Sequence, residues 1–416
     1  MSLETAKTNQ PRTPRQGPRP LPFHLLSQAS MLFSSLAVLP SWRNGSFVWK
    51  PQLREAAERL KHDIDGIGEK DFDRALRAES TRRVEAFLTG IEAYRQHPYQ
   101  RDLPVPPTIW QEGTTRLLDY GLPGSTGLPV LVVPSLVNRA YILDLSRKRS
   151  LLRTMAARGL RPYLVDWDAP GSTEQTFTLE SYVAGRLGRV LDEVLARSGR
   201  RPAVLGYCMG GLLGLGLAVL RQDDVSGLVA LATPWDFHQP NAEQGQMVAS
   251  LRPVLEDVLT LFGQFPVDLL QTLFTTIDPG GIERKFRTFG RMKTQSAKAR
   301  DFVTLEDWLN DGVALTAGVA RECLFGWYVD NLPVRGAWHL ANTPILPQNF
   351  YKPALALIPS KDRIVPPPSA LALAERLGNG KGLVVETGHI GMVSGARATS
   401  EVYGVLIKWL KKLEKM

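Results

Sequence analysis

The sequence predicts an α/β fold in which a mostly parallel central sheet is covered by helices on both faces. Short, uninterrupted apolar runs alternate with stretches of helical periodicity from residue 128 to 237 and again from 354 to 416. A run that is apolar at every position indicates a strand buried on both faces, which is typical of parallel sheets. The alternation is the pattern of repeated strand-helix-strand units. It stops between the two stretches, which predicts a helical insertion.

The chain is predicted to begin with a disordered stretch and to continue as helix. Residues 1–20 are rich in Pro, Arg and Gln, a composition that does not build a core. The apolar run at 22–40 is interrupted by His24, Ser27 and Gln28, and no small-residue cleavage site follows it, so it does not fit a secretory signal. We expect it to be too short and too polar to span a membrane. An amphipathic helix that docks on the domain or on a lipid surface is the preferred interpretation.

The remaining elements follow in order. A charged helical pattern covers 55–94 and ends before a His-Pro pair. The first part of the core then contains strands at 114–120, 128–133, 163–166, 203–205 and 228–232, and helices at 146–158 and 179–197. The second part contains strands at 354–358 and 383–385, and helices at 369–377 and 400–415.

Four regions result from this order. They are an N-terminal region at 1–105, the first half of the core at 106–237, a lid inserted at 238–350, and the second half of the core at 351–416. The lid carries several tryptophans and a basic cluster between 284 and 300. This cluster either attracts an anionic ligand or surface, or forms a solvated helix face.

Composition limits the classes of function. The 416 residues are 44% hydrophobic and 22% charged, which is ordinary for a soluble globular protein. A net charge of +9 favours anionic partners such as a nucleotide-bearing ligand or a phospholipid surface. No zinc-ligand or base-reading motif supports nucleic acid, and no metal site is expected. The two cysteines, Cys208 and Cys323, do not make a disulfide framework, and a cytoplasmic location is the simpler expectation.

The apolar run that begins at 203 passes through a Gly-x-Cys-x-Gly-Gly motif into a run of helical length. This is the strand, tight turn and helix of a nucleophile elbow, with Cys208 in the place that Ser commonly takes. The turn is so sharp that a side chain two positions from the nucleophile would collide with the strand or the helix. Gly206 and Gly210 meet this requirement, and Gly211 follows them.

A nucleophilic Cys needs a base, and the base needs an acid to orient it. In sheets of the α/β-hydrolase type the order along the chain is nucleophile, acid, base, each in a loop after a strand. Asp362 and His389 follow two predicted strands in that order, 27 positions apart. Asp362 could instead be a turn former, His389 a loop histidine and Cys208 a small buried residue. His238 also follows a strand, and we assign it to the lid.

The backbone N–H of Met209 is expected to form an oxyanion hole with an N–H from the loop after the strand that ends at residue 133, at Leu136 or Val137. This arrangement predicts acyl transfer or hydrolysis through an acyl-cysteine. Transfer from a thioester to a thiol is nearly balanced in free energy, so the acyl group stays activated for a second acceptor. Cys therefore favours onward transfer.

Six blocks resemble the polyhydroxyalkanoate synthases, in that family's order. They are Gly-Tyr-Cys-Met-Gly-Gly at 206–211, the loop at 134–145, Thr-Pro-Trp-Asp-Phe at 233–237, Trp-Leu-Asn-Asp at 308–311, Asp-Arg-Ile-Val-Pro at 362–366 and Gly-His-Ile-Gly at 388–391. The resemblance implies that Cys208, His389 and Asp362 form a triad that polymerises (R)-3-hydroxyacyl-CoA. CoA would be part of the substrate and no separate cofactor is expected. A polyester granule surface is an expected partner, and a homodimer stays open.

Two alternatives remain at this point. The chain could be a Cys-dependent thioesterase or polyester depolymerase, or a non-catalytic granule-associated protein that has kept the fold. Arg139-Ala140 and the altered Trp-Leu-Asn-Asp block depart from the family pattern and flank the expected acyl pocket and lid. These departures bear on acyl preference and polymer length more than on the triad.

Overall fold

The computed structural model describes residues 14–416, which fall into two compact units. Unit 1 combines the described part of Met1–Tyr99 with Asp278–Asn310, and unit 2 combines Gln100–Ile277 with Asp311–Met416. Part of the predicted lid, including its whole basic cluster, therefore belongs to unit 1. The four predicted region boundaries stay predictions.

Helices account for most of the structure outside the sheet. The α-helices are α1 Leu21–Arg43, α2 Arg54–Asp63, α3 Glu69–Gln96, α4 Leu151–Ala157, α5 Gly188–Ser198, α6 Met209–Leu220, α7 Glu243–Ser250, α8 Arg252–Phe262, α9 Val267–Thr275, α10 Gly281–Phe289, α11 Ala297–Asn310, α12 Ala317–Arg321, α13 Pro367–Ala374, α14 Gly391–Ser394 and α15 Gly404–Leu413. Three π-helical segments, Ser181–Leu187, Glu322–Val329 and Thr399–Tyr403, adjoin α5, α12 and α15.

The strands of unit 2 form the central sheet and three short pairs. They are β1 Thr108–Glu112, β2 Thr115–Asp119, β3 Pro129–Val133, β4 Asp144–Ser146, β5 Arg149–Ser150, β6 Arg161–Asp166, β7 Ala203–Tyr207, β8 Gly227–Leu231, β9 Gln264–Phe265, β10 Leu315–Thr316, β11 His339–Leu340, β12 Thr343–Pro344, β13 Ala354–Pro359 and β14 Gly380–Val385. The central sheet has the order β1-β2-β6-β3-β7-β8-β13-β14.

The central sheet is parallel from β6 to β14, and only β1 and β2 run antiparallel to their neighbours. Every residue of β3, β7, β8 and β13 is buried, as the uninterrupted apolar runs predict. The carboxyl ends of parallel strands meet at one edge of a sheet, so the loops after β3, β7, β13 and β14 share that edge. The predicted α/β-hydrolase fold is confirmed.

Two elements differ from the sequence prediction. The predicted helix at 55–94 is two helices, because the chain between α2 and α3 turns through Gly66, whose φ of +83° suits glycine and ends α2. Strand β1 was not predicted, since its half-exposed sequence Thr-Ile-Trp-Gln-Glu has no continuous apolar run.

Helix α1 also differs from its prediction. Of the helices that the structure describes, α1 is the one whose length and apolar composition would allow it to cross a membrane. The expectation that this segment is too short and too polar was therefore wrong. The helix is not amphipathic either, because apolar residues occur on every side of it. A helix that is apolar on all sides is usually buried in protein or in a membrane, because water does not favour contact with apolar side chains.

The predicted disordered start lies largely outside the described residues. Residues 14–20 are described, and there the Arg15 guanidinium donates to Asp307 Oδ1 at 2.6 Å and to the carbonyl of His97 at 2.6 Å. Asp307 also accepts from the Tyr94 hydroxyl at 2.8 Å. This part of the chain is therefore held within unit 1.

Several cations of the predicted basic cluster are paired inside unit 1. Arg284 pairs with Asp278, Lys285 with Glu306 and Arg287 with Glu283, each at 2.6–2.7 Å. Arg291, Lys293, Lys298 and Arg300 are exposed. The cluster is thus partly a paired helix face, and its predicted role towards an anionic ligand stays a prediction.

The core of unit 1 depends on close packing between α3 and α10. Phe87, Ile91 and Tyr94 of α3 are buried against Phe286 and Phe289 of α10. The Phe286 ring meets the rings of Phe87 and Tyr94 edge to face, with centroids 6.2 and 5.6 Å apart. A Cβ atom at Gly90 would lie 2.0 Å from the Phe286 carbonyl oxygen. Only glycine allows the two backbones to approach this closely.

We predict that Gly90→Ala lowers the free energy of unfolding by about 2 kcal/mol, because the added methyl group forces α3 away from α10. Urea unfolding followed by circular dichroism measures the change. The control is Thr89→Ala at the neighbouring exposed position of α3, which should change the same free energy by less than about 0.5 kcal/mol. Equal effects of the two substitutions would show that the close approach does not limit the packing.

Candidate active site

The structure has a sharp turn between strand and helix at the predicted nucleophile elbow. The chain leaves β7 at Tyr207, turns at Cys208 with φ 56° and ψ −126°, and enters α6 at Met209. A positive φ is uncommon for a residue with a side chain and places strain on the backbone. The Cys208 N–H donates to the carbonyl of Leu231 in the adjacent strand at 2.8 Å, which holds the turn against β8. The Cys208 thiol is partly exposed.

The glycines around Cys208 are required by close contacts on two sides. A Cβ atom at Gly206 would lie 2.3 Å from the carbonyl oxygen of Gly210, and one at Gly210 would lie 2.1 Å from the carbonyl oxygen of Val133. A Cβ atom at Gly211 would lie 1.8 Å from the Thr233 hydroxyl. The structure thus gives each of the three predicted glycines a steric reason, and it brings the start of α6 against the end of β3.

Asp362 and His389 lie in the loops after β13 and β14 and contact each other. His389 Nδ1 donates to Asp362 Oδ2 at 2.7 Å, and both side chains are buried. The other carboxylate oxygen accepts the backbone N–H groups of Ile364 and Val365 at 2.8 and 2.9 Å. Asp362 is therefore held by three hydrogen bonds, which fix its orientation towards the imidazole.

The imidazole of His389 also lies close enough to the Cys208 side chain for the charge of one to affect the other. Burial lowers the pKa of His389, but the negative charge of Cys208 and the hydrogen bond and charge of Asp362 outweigh it and raise the pKa to about 10. Because Nδ1 is directed to Asp362, Nε2 is the nitrogen that faces the thiol. The structure thus brings Asp362 and His389 into direct contact and places Cys208 near the imidazole. That the three residues act as a catalytic triad stays a prediction.

The predicted oxyanion donors lie where α6 meets the loop after β3. Met209 is the first residue of α6, so its N–H has no partner within the helix. The Val137 N–H donates to Ser135 Oγ at 3.1 Å, and this bond occupies the donor that we assigned to an oxyanion. Of the two donors predicted in this loop, the structure therefore favours Leu136.

The loop after β3 is held in place by ion pairs and a backbone hydrogen bond. Arg139 forms ion pairs with Asp168 and with Asp311, and the Val313 N–H donates to the Val137 carbonyl at 3.2 Å. A small, partly open pocket adjoins this loop. It is lined by Leu136, Asp168, Pro170, Tyr182, Val313, Ala314, Leu315, Thr316 and Val319.

The sequence prediction missed Tyr207. Its buried hydroxyl donates to the backbone carbonyl of His389 at 3.2 Å, and its ring centroid lies 5.2 Å from the imidazole centroid. Burial and the nearby charges of Cys208 and Asp362 raise the pKa of Tyr207 well above its usual range, so it stays a donor. Its place next to Cys208, at the last residue of a strand, is a signal that could have identified it.

Asn331 is a second residue that the sequence did not indicate. Its side chain accepts from the Phe237 N–H at 3.1 Å and donates to Asp236 Oδ1 at 2.8 Å, which ties the loop after β8 to the end of the Glu322–Val329 π-helix. Nε2 of His238 lies 3.1–3.2 Å from two carbonyl oxygens of that π-helix. These contacts agree with our assignment of His238 to the lid.

In the part of the chain that the structure describes, no group of three or more His, Cys, Asp or Glu side chains is arranged to hold a metal ion. The free cysteines, Cys208 and Cys323, are both unbridged.

Comparison with known proteins agrees with this architecture. A sequence model of the alpha/beta hydrolase fold matches residues 128–396. The chain belongs to the α/β hydrolase fold family. The match begins just before β3 and extends past His389, so it includes the elbow and the loops that carry Asp362 and His389.

Individual relatives of this α/β hydrolase share one name. This chain is 29% identical over 343 residues to the poly(3-hydroxyalkanoate) polymerase subunit PhaC of Synechocystis sp. The alignment covers 79% of this chain and 91% of that protein. The chain is 27% identical over 352 residues to the subunit of the same name from Allochromatium vinosum, covering 82% and 95%. These relatives confirm the resemblance that the six motif blocks indicate. Among solved structures, the monoacylglycerol lipase of Paleococcus ferrophilus is 16% identical, with a TM-score of 0.45 over 72% of this chain and 99% of that chain.

We predict that Tyr207→Phe slows alkylation of Cys208 by iodoacetamide at neutral pH by about fivefold, the factor that corresponds to one hydrogen bond of about 1 kcal/mol. Loss of the hydroxyl releases the His389 backbone and lets the imidazole move away from the thiol. The matched control is Tyr163→Phe, which removes a buried hydroxyl that has no partner and should leave the rate unchanged. An unchanged rate in Tyr207→Phe would assign this tyrosine to packing alone.

We predict that His389 stays protonated at neutral pH and titrates near pH 10. Cys208→Ala removes the largest of the effects that raise this pKa, while burial still lowers it, so the pKa of His389 should fall well below 10 in that variant. The imidazole NMR signals, assigned with a His389→Gln variant, report the titration. An equal pKa in both proteins would show that the thiol and the imidazole do not share a charge.

Proposed function

We propose that this α/β hydrolase is a polyhydroxyalkanoate synthase that transfers (R)-3-hydroxyacyl groups from CoA through an acyl-cysteine to a growing polyester. One observation supports it above the others: the buried, hydrogen-bonded pair of Asp362 and His389 lies next to Cys208 in a chain whose relatives, aligned over most of their length, are poly(3-hydroxyalkanoate) polymerase subunits. The assignment of catalytic roles to these residues, and of a hydroxyacyl-CoA as substrate, is part of the proposal.

In the first half-reaction Cys208 acts as the nucleophile. Its thiolate, paired with the His389 imidazolium, attacks the carbonyl carbon of the thioester and forms a new C–S bond. The bond between that carbon and the CoA sulfur breaks, and the imidazolium gives its proton to the departing thiolate. The products are an acyl-cysteine, free CoA and a neutral His389.

The second half-reaction uses the change of charge that the first one creates. Acylated Cys208 carries no negative charge, so the largest effect that raises the pKa of His389 is lost and burial lowers this pKa. The neutral imidazole can then accept the proton of an acceptor hydroxyl, whose oxygen attacks the acyl-cysteine. An ester bond forms, the Cys208 thiolate leaves, and the original ion pair is restored.

Developing negative charge on the carbonyl oxygen would be stabilised by the N–H groups of Met209 and Leu136. The N-terminus of α6, a helix of 12 residues, adds a positive partial charge beside Cys208. These groups act on both half-reactions, since each passes through a tetrahedral intermediate at the same carbon.

Cys favours transfer over hydrolysis. The acyl group moves from one thioester to another with little loss of free energy, so it remains reactive towards a hydroxyl of the polymer. A Ser nucleophile would form an oxygen ester and lose that reactivity.

The expected surroundings of the reaction are also proposals. A cytoplasmic location fits the two free cysteines. Association with the polymer granule and formation of a homodimer follow from the proposed polymerisation. The reaction needs no cofactor beyond the CoA of the substrate.

We predict that purified protein releases CoA from (R)-3-hydroxybutyryl-CoA and forms insoluble polyester. Cys208→Ala should lower the rate of CoA release by at least about a thousandfold, since it removes the nucleophile. Cys208→Ser should keep the fold and lose most of the activity. The matched control is Cys323→Ala, which changes the other, buried cysteine and should keep the rate within about twofold.

The products distinguish the proposed function from its alternatives. CoA release without polymer would identify a thioesterase and overturn the synthase. Degradation of added polyester without CoA release would identify a depolymerase. A protein that binds granules and releases no CoA from any hydroxyacyl-CoA would be the non-catalytic alternative.

A further inference from the structure

Helix α1 carries an exposed apolar surface on unit 1. Leu26 and Phe33 are 69% and 68% exposed, and they are seven positions apart, so they lie on the same side of the helix two turns from each other. Leu25 and Met31 lie at other positions around the same helix and are 38% and 41% exposed. Large apolar side chains exposed together on one helix mark a surface that contacts something else.

The two ends of α1 are held on unit 1, while the middle is uncovered. His24 near the start and Leu39 and Trp42 near the end are buried, and the Arg43 guanidinium lies 5.1 Å from the centre of the Phe72 ring in α3. The helix is therefore fixed along unit 1 and presents its outward side as a rigid surface. A helix held at both ends would lie along a lipid surface and would not cross it.

The charged residues that precede and follow α1 in the sequence are of one sign. Between residues 5 and 54 the sequence has seven Lys and Arg residues and no Asp or Glu, and α1 itself has no charged residue before Arg43. Lys50 and Arg54 follow seven and eleven positions after Arg43, and both are exposed. This pattern, an uncharged apolar helix with cations beyond its ends, matches the headgroups and acyl chains of an anionic membrane.

The segment after α1 adds residues that prefer the membrane interface. The rings of Phe47 and Trp49 meet edge to face with centroids 4.8 Å apart, and Val48 between them is 84% exposed next to Lys50. Aromatic rings and lysines of this kind are enriched at the level of lipid headgroups.

Two exposed serines of α1 add little to the cost of burial in lipid. The Ser34 and Ser35 hydroxyls donate to the carbonyl of Met31 at 3.0 and 2.8 Å, so their hydrogen bonds are already made within the helix. Hydroxyls paired in this way cost little when a helix enters an apolar phase.

We propose that Leu25, Leu26, Met31, Phe33, Val48 and Lys50, here named the α1 surface, dock on a membrane surface that contains anionic phospholipids. A second copy of this chain is the other partner that an apolar surface suits. A symmetric dimer would place the cations at the ends of α1 near those of its partner, whereas anionic headgroups neutralise them. The charge pattern thus favours lipid. This inference does not depend on the reaction at Cys208.

The test is cosedimentation of the full chain with vesicles of phosphatidylcholine alone and of phosphatidylcholine mixed with phosphatidylglycerol. The wild type should bind the mixed vesicles and be released by salt, with weak binding to phosphatidylcholine alone. Leu26→Glu combined with Phe33→Glu should weaken binding by at least about tenfold. The matched control places the same charges at Leu122 and Val105, exposed apolar residues of unit 2, and should bind like the wild type.

A folded variant is recognised by an unchanged melting temperature and an unchanged rate of Cys208 alkylation. If the double variant does not fold, Lys50→Glu combined with Arg54→Glu serves instead and should weaken binding to the mixed vesicles only. Failure of the wild type to bind either vesicle would overturn the proposal, and so would equal losses in variant and control. A wild-type dimer that the α1 substitutions dissociate, without lipid binding, would assign the surface to a second copy.

Discussion

The contact between the start of α6 and the end of β3 determines the geometry of the whole site. At Gly210 the two backbones are so close that no side chain fits, and this closeness places the Met209 N–H and the loop of Leu136 on the same side of Cys208. The left-handed backbone at Cys208 is held by the hydrogen bond to Leu231. The two neighbours of β7, which are β3 and β8, therefore position the proposed oxyanion donors and restrain the backbone of the proposed nucleophile.

The charges of the site are arranged around a buried imidazole. Asp362 is fixed by two backbone N–H groups and cannot turn away from His389, and Tyr207 restrains the same imidazole from its backbone and its ring. His389 is therefore positioned by two residues that face it from different loops and strands. This rigidity matters because a misplacement of about 1 Å can cost two orders of magnitude in rate.

The sequence was sufficient for the features that depend on strong local rules. Uninterrupted apolar runs located the inner strands, and loops after those strands located Asp362 and His389, because a parallel sheet brings such loops to one edge. It was not sufficient where tertiary contacts decide. The half-exposed strand β1 has no distinctive period, the occupation of the Val137 N–H by Ser135 depends on a side-chain rotamer, and the joining of residues 278–310 with the N-terminal unit depends on packing between distant segments.

The π-helical segment Glu322–Val329 has a consequence for how this lid can vary. A π turn is an α-helix that contains one additional residue, and each residue of an α-helix turns the chain by about 100°. The extra residue therefore sets the direction in which Trp327 and Tyr328 project, and His238 lies against the carbonyl oxygens of Tyr328 and Val329 in this widened turn. Deletion of a single position would rotate the aromatic side of the lid, so the number of residues in this segment constrains the lid as strongly as their identity does.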